Sequence, residues 1–115
     1  MSLVGGVPDC SHLTSAGNTT ITGRAGAAVI TIRNMAAGTQ LILSHLTVTG
    51  GHGSSGGGID YLGAGAMNID NSSIVSNQAT DGGGIHFGGN GTTAAELYLH
   101  SNTFVTNNTA NGGSG

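Results

Sequence analysis

Two stretches of this chain repeat each other without a gap. They are LILSHLTVTGGHGSSGGGI, from Leu41 to Ile59, and MNIDNSSIVSNQATDGGGI, from Met67 to Ile85, 26 residues further on. A third, LYLHSNTFVTNNTANGGSG from Leu97 to Gly115, follows another 30 residues later, and a fainter copy precedes the first by 27, with Thr20-Ile21-Thr22-Gly23 under Thr47-Val48-Thr49-Gly50. The glycines are therefore in register, since Gly82-Gly83-Gly84-Ile85 repeats Gly56-Gly57-Gly58-Ile59. A flexible linker has no reason to keep such a period, and a period of 20–50 residues is the mark of stacked repeat architectures.

The repeat sorts the apolar residues into columns: Leu41, Met67 and Leu97; Leu43, Ile69 and Leu99; Ile21, Val48, Ile74 and Phe104; Ile32, Ile59 and Ile85. Within a copy they alternate, as Leu41 and Leu43 do. That is the period of a strand, whose successive side chains point to opposite faces. No window carries a helical period. Each copy reads as three short strands, placed in the second copy at about 67–69, 72–76 and 83–87, with turns at Asp70-Asn71, Asn77 to Asp81 and Gly88 to Ala95. Gly, Asn, Asp and Ser stand at these turns, where positive φ or side-chain bonds to the backbone are needed.

Copies that match in one direction stack with parallel strands about 4.8 Å apart. The expected fold is all-β, a right-handed parallel β-helix of about four coils with three strands in each. The 115 residues form one segment, with 1–13 as an N-terminal cap or first partial coil and repeats at about 14–40, 41–66, 67–96 and 97–115. Ile59, Ile85, Leu43, Ile69, Leu99, Val48, Ile74 and Phe104 are expected to point inward. The extra residues in GGNGTTAAE lengthen one turn, as solenoids tolerate.

Composition narrows the function. The net charge is -3, there is no lysine, and Arg24 and Arg33 are the sole arginines. That excludes nucleic acid and anionic lipid surfaces as partners, because both are met by clustered Lys and Arg. No apolar run reaches the length of a membrane-spanning helix, and no basic stretch followed by an apolar run is visible at its start, so no signal peptide is expected within these residues. Cys10, the single cysteine, has no partner for a disulfide.

Several sets of residues could carry chemistry. By register Arg33, Asp60 and His86 share one outward column, expected as an exposed charge ladder worth about 0–1 kcal/mol. The carboxylates Asp60, Asp70 and Asp81 fall on different facets, so the paired acids of a glycosidase are not expected. His12, His45, His52 and His100 fall at different positions, so neither a metal site nor any other cofactor is expected. Two outward columns flank Val48, one with Thr20, Thr47, Ser73 and Thr103, the other with Thr22, Thr49, Val75 and Val105. A flat Thr-x-Thr face suits an ordinary sheet, since threonine favours strands, and also a binding face. Asn77 and Asn107 are expected to stack in a turn ladder.

Ile74-Val75-Ser76-Asn77 and Phe104-Val105-Thr106-Asn107, each followed by a glycine-rich element such as Gly83-Gly84-Ile85, resemble the FxxN and GGA[ILV] repeats of polymorphic outer-membrane proteins and related adhesin-like β-helix proteins of bacterial surfaces. The resemblance covers about residues 41–115, with isoleucine for phenylalanine at 74, glycine for alanine before Ile59 and Ile85, and Gly51 in place of the asparagine. It implies a non-catalytic structural or adhesive segment at a bacterial cell surface or secreted from it, with a carbohydrate or a host or cell-surface protein as partner. The competing classes are a truncated scaffold of a polysaccharide-active β-helix enzyme and an ice-binding module using Thr20, Thr22, Thr47 and Thr49. Gly113-Ser114-Gly115 stands where earlier copies have GGGI, so the last coil is expected to be open and to self-associate end to end.

Overall fold

The structure is a computed structural model that describes residues 2–4, 18–89 and 94–114. It is all-β. The strands follow one another around a closed circuit and return above their starting point, so each pairs in parallel with its counterpart one circuit away. The result is a solenoid of about three turns.

The first circuit contributes β1 (Ser2–Val4), β2 (Thr19–Thr22) and β3 (Ile30–Met35). The second holds β4 (Gln40–Ser44), β5 (Leu46–Thr49), β6 (His52–Ser55) and β7 (Ile59–Gly63). The third holds β8 (Ala66–Asp70), β9 (Ser73–Val75), β10 (Gln78–Asp81) and β11 (Ile85–Gly89). The last described circuit holds β12 (Glu96–Leu99), β13 (Phe104–Thr106) and β14 (Thr109–Ser114). Four sheets run along the axis: the first is β1-β4-β8-β12, the second β2-β5-β9-β13, the third β6-β10-β14 and the fourth β3-β7-β11.

A complete circuit thus has four strands, not the expected three. The segment Asn77 to Asp81, expected as a turn, contains β10, which pairs with β6 and β14. Corners are made by residues in the left-handed region. At the corner between the first and second sheets these are His45, Asn71 and Asn102, at φ 57°, 45° and 58°. Gly50, Ser76 and Asn107 occupy the next corner, at φ 73°, 56° and 54°. Gly56 and Gly82 turn the chain into the fourth sheet at φ 62° and 59°. Asparagine and glycine are the residues that accept this conformation at least cost.

The core is the inward side of each sheet. Leu41 pairs with Met67 and Leu43 with Ile69 in the first sheet, while Val48 pairs with Ile74 in the second. Ile59 pairs with Ile85 in the fourth. All but Ile85, which is half-buried, are fully buried. Tyr61, two residues beyond Ile59, is 0% exposed. Its ring stacks on Phe87 one circuit on, with centroids 4.5 Å apart, and its hydroxyl donates to the Gly65 carbonyl.

Three registers depart from the gapless alignment, the third sheet among them, where Gln78 faces Thr109 and the pairing slips again between Ala79 and Asp81. In the fourth sheet Ile59 faces Ile30, and Ile32 faces Tyr61, a shift of two residues. An even shift preserves sidedness, so both isoleucines still face the core. In the second sheet Ile74 faces Val105, and Phe104 faces Ser73. An odd shift reverses sidedness: Phe104 points outward and is 57% exposed. One extra residue is taken up in the corner from His100 to Thr103, between the pairs Leu99–Ile69 and Phe104–Ser73. Leu99 keeps its expected column but is 50% exposed, being on the last described circuit. Apart from the strand Ser2–Val4, residues 1–13 expected as a cap, with Cys10, lie outside the described residues, as do 90–93 of the lengthened turn.

Candidate functional site

The fourth sheet brings Arg33, Asp60 and His86 together. His86 and Asp60 are true partners across β11 and β7. Arg33 is not in their column, since Thr31 faces Asp60 and Arg33 faces Leu62. Its length lets it reach back along the sheet. Nη2 donates to Asp60 Oδ2, and Nη1 donates to the Asp60 carbonyl at 3.1 Å. His86 Nδ1 lies 2.8 Å from the other carboxylate oxygen, Oδ1. The expected exposed ladder is therefore built around a sheltered member. The Asp60 side chain is 10% exposed, against 43% for Arg33 and 37% for His86. Each cross-coil neighbour takes one carboxylate oxygen, so the trio clamps three successive circuits.

The second sheet carries the threonine face. Thr20 faces Thr47 and Thr22 faces Thr49; Ser73 and Val75 continue these columns. The extra corner residue alters their far end. Thr103 leaves the face, its hydroxyl donating to the Ile69 carbonyl at 3.1 Å inside the corner. Phe104 takes its place beside Ser73, and Thr106 instead of Val105 stands beside Val75. The face reads Thr-x-Thr, Thr-x-Thr, Ser-x-Val, Phe-x-Thr.

The asparagine ladder exists one residue away from its expected position. Asn108, not Asn107, stands under Asn77. Asn77 Oδ1 accepts from the Gly51 backbone N–H at 3.0 Å, and Nδ2 donates to the Val48 carbonyl at 3.0 Å. Asn108 Oδ1 accepts from the Asn77 backbone N–H at 3.0 Å, and its Nδ2 donates to the Ile74 carbonyl at 2.8 Å. Gly51 ends the ladder because no side chain fits there: a Cβ would lie 1.8 Å from the Gly57 carbonyl oxygen. Ser72 does related work at the previous corner, donating to the Asp70 carbonyl and accepting from the Leu46 N–H.

The outer face of the first sheet holds a recess that the sequence did not single out. It has a volume of about 360 Å³ and is lined by Gln40, Ile42, Asn68, Asp70, Asn71, His100 and Ser101. His100 Nε2 lies 3.1 Å from Asn68 Oδ1. Tyr98, the strand partner of Asn68, stands beside it with its ring 6.2 Å from the His100 ring. The Tyr98 hydroxyl donates to Glu96 Oε2 at 2.7 Å, and this bond to a carboxylate holds the phenol's pKa above its ordinary value. The signal available in sequence was the alternation that places Asn68, Asp70, Tyr98 and His100 on one side of their strands.

No family model, no curated protein and no solved structure matches this chain.

Proposed function

We propose that the chain is a non-catalytic structural or adhesive segment of a surface or secreted bacterial β-helix protein, akin to the polymorphic outer-membrane proteins its repeats resemble. Right-handed winding and a fourth coil belong to the same proposal. The observation that supports it most is the use made of Asp60. Its side chain is 10% exposed and its two oxygens join neighbouring circuits through Arg33 and His86, as the Asn77 side chain joins its own neighbours. These polar side chains serve the stack, and the outer faces are left to present side chains at the spacing of the ladder. The test pairs a glycan and cell-surface-protein array with a polysaccharide turnover assay. Retention without product is expected. Turnover that Asp60→Asn abolishes while the fold stays intact would overturn the proposal in favour of an enzyme scaffold.

A second reading, ice binding, draws on the in-register pairs Thr20–Thr47 and Thr22–Thr49 together with Thr106. It predicts thermal hysteresis that Thr47→Lys removes. The last described circuit exposes Leu99 at 50% and Val105 at 40%, which favours association of one copy's end with another's. Sedimentation velocity at micromolar concentration tests this. A dimer or longer assembly is expected, and a monomer would exclude it.

A further inference from the structure

We propose that the recess on the first sheet is a binding site for a neutral saccharide, with Asn68 and Asp70 as its hydrogen-bonding floor. The proposal rests on the adhesive reading above and supplies its ligand class and its place.

Three observations converge there. The first is the recess itself, of about 360 Å³, within the range of small-ligand sites. The second is a pair of buried side-chain atoms without a hydrogen-bond partner, Asn68 Nδ2 and Asp70 Oδ1, both on residues that line it. Buried polar atoms are nearly always satisfied, and each exception calls for a physical account. The third is the break in the repeat. One extra residue of the last described circuit is absorbed in the corner from His100 to Thr103, and His100 and Ser101 line the recess. One of the irregularities of the stack thus falls where the unmet groups are.

The chemistry of the pair selects the ligand. One atom belongs to a donor and the other is an acceptor. A metal cation would answer the carboxylate and oppose the amide hydrogens. An anion would do the reverse. A hydroxyl answers both, and neighbouring hydroxyls on a sugar ring can do so together. A water molecule also carries both functions, but it makes no use of apolar surface. Ile42, 36% exposed, lines the recess, and Tyr98, 43% exposed, stands beside it. They offer the apolar edge and aromatic face that the C–H side of a pyranose ring covers. Both orphan atoms are shut off from solvent. Binding therefore requires the carboxamide and carboxylate to turn about χ2, a soft torsion.

The experiment is a two-dimensional amide NMR titration of the whole chain with glucose, galactose, mannose and N-acetylglucosamine, each to the upper millimolar range. Saturable shifts confined to residues 68–71 and 98–101 are expected for at least one sugar. Asn68→Ala should weaken that binding about tenfold, the equivalent of about 1.4 kcal/mol, and Tyr98→Ala should weaken it independently. Tyr98 lies on the exposed face, so its variant keeps the test open if Asn68→Ala unfolds. No saturable shift at this corner with any of the four sugars, or unchanged affinity in Tyr98→Ala, would overturn the proposal. Array retention with shifts elsewhere would leave the adhesive reading standing and remove this site. Shifts here without array retention would do the opposite.

Discussion

Asn108 stands to Asn77 as Asn77 stands to Gly51. In both cases a carboxamide oxygen accepts the backbone N–H one circuit away, and its nitrogen donates to the carbonyl three residues before that N–H. Asn77 is 2% exposed. Asn77→Ala would leave the Gly51 N–H and the Val48 carbonyl buried without these partners. At about 1–3 kcal/mol for each unmet group, a loss of about 2–6 kcal/mol is expected, read as a lower denaturation midpoint. Asn108, half-buried on the last described circuit, should cost less.

The one-residue slip in the second sheet makes a sharp contrast between two neighbouring columns. Ile74 is 0% exposed and Phe104 is 57% exposed. Ile74→Ala should cost about 2–5 kcal/mol, while Phe104→Ala should stay within about 0.5 kcal/mol of the parent. Equal losses in urea unfolding would restore the gapless register.

Why that slip escaped the sequence is instructive. Phe104-Val105 and Asn107-Asn108 are doublets, so two registers one residue apart place an apolar residue and an asparagine equally well. Pattern cannot separate them, although every side chain changes face between them. The inward columns of Leu41, Leu43, Val48 and their partners were legible because each is flanked by polar residues. The third sheet was not. In Gln78-Ala79-Thr80-Asp81 the one apolar inward residue is Ala79, and the strand forms because β6 and β14 lie ready to pair with it. Tyr61 and Phe87 could have been placed inside, each lying two residues beyond an inward isoleucine. Arg33 and Asp60 were expected in one column, whereas their contact depends on the reach of an arginine side chain and not on shared register. For the recess, alternation could have put Asn68, Asp70, Tyr98 and His100 on one side, but its unmet hydrogen bonds are a property of side-chain geometry.

Ser76 holds φ 56° at an exposed corner between Gly50 above and Asn107 below. A left-handed conformation costs most L-residues about 1–2 kcal/mol and asparagine less. Ser76→Asn is expected to raise stability by about 0.5–1 kcal/mol, visible as a higher melting temperature. A fall would mean that the serine hydroxyl makes a compensating bond.

Burial holds the pKa of Tyr61 above its ordinary value of 10.0, against the smaller opposing effect of its bond to Gly65. The folded chain therefore keeps this proton more tightly than the unfolded chain. The associated stability is complete below pH 10 and is lost as pH rises from there toward the folded-state value. Alkaline titration followed by circular dichroism should show unfolding that Tyr61→Phe shifts to higher pH, while Tyr98→Phe, at an exposed ring, moves it little.

Strand pairing along the axis also dictates an order of events. Every ladder bond joins residues a full circuit apart, so no sheet can start within a single repeat. Two circuits must close together before any pairing is gained, and each later circuit then adds onto a finished template. The side chains that are fully buried, among the described residues, all lie between Leu41 and Ala79. Those two circuits are the natural nucleus, and growth from them runs outward in both directions. Loss should run the other way, by peeling from the ends. Amide exchange would then be graded along the axis instead of uniform, slowest at Val48 and Ile74 and fastest at β2 and β13, so that the molecule has a time-ordered length as well as a spatial one.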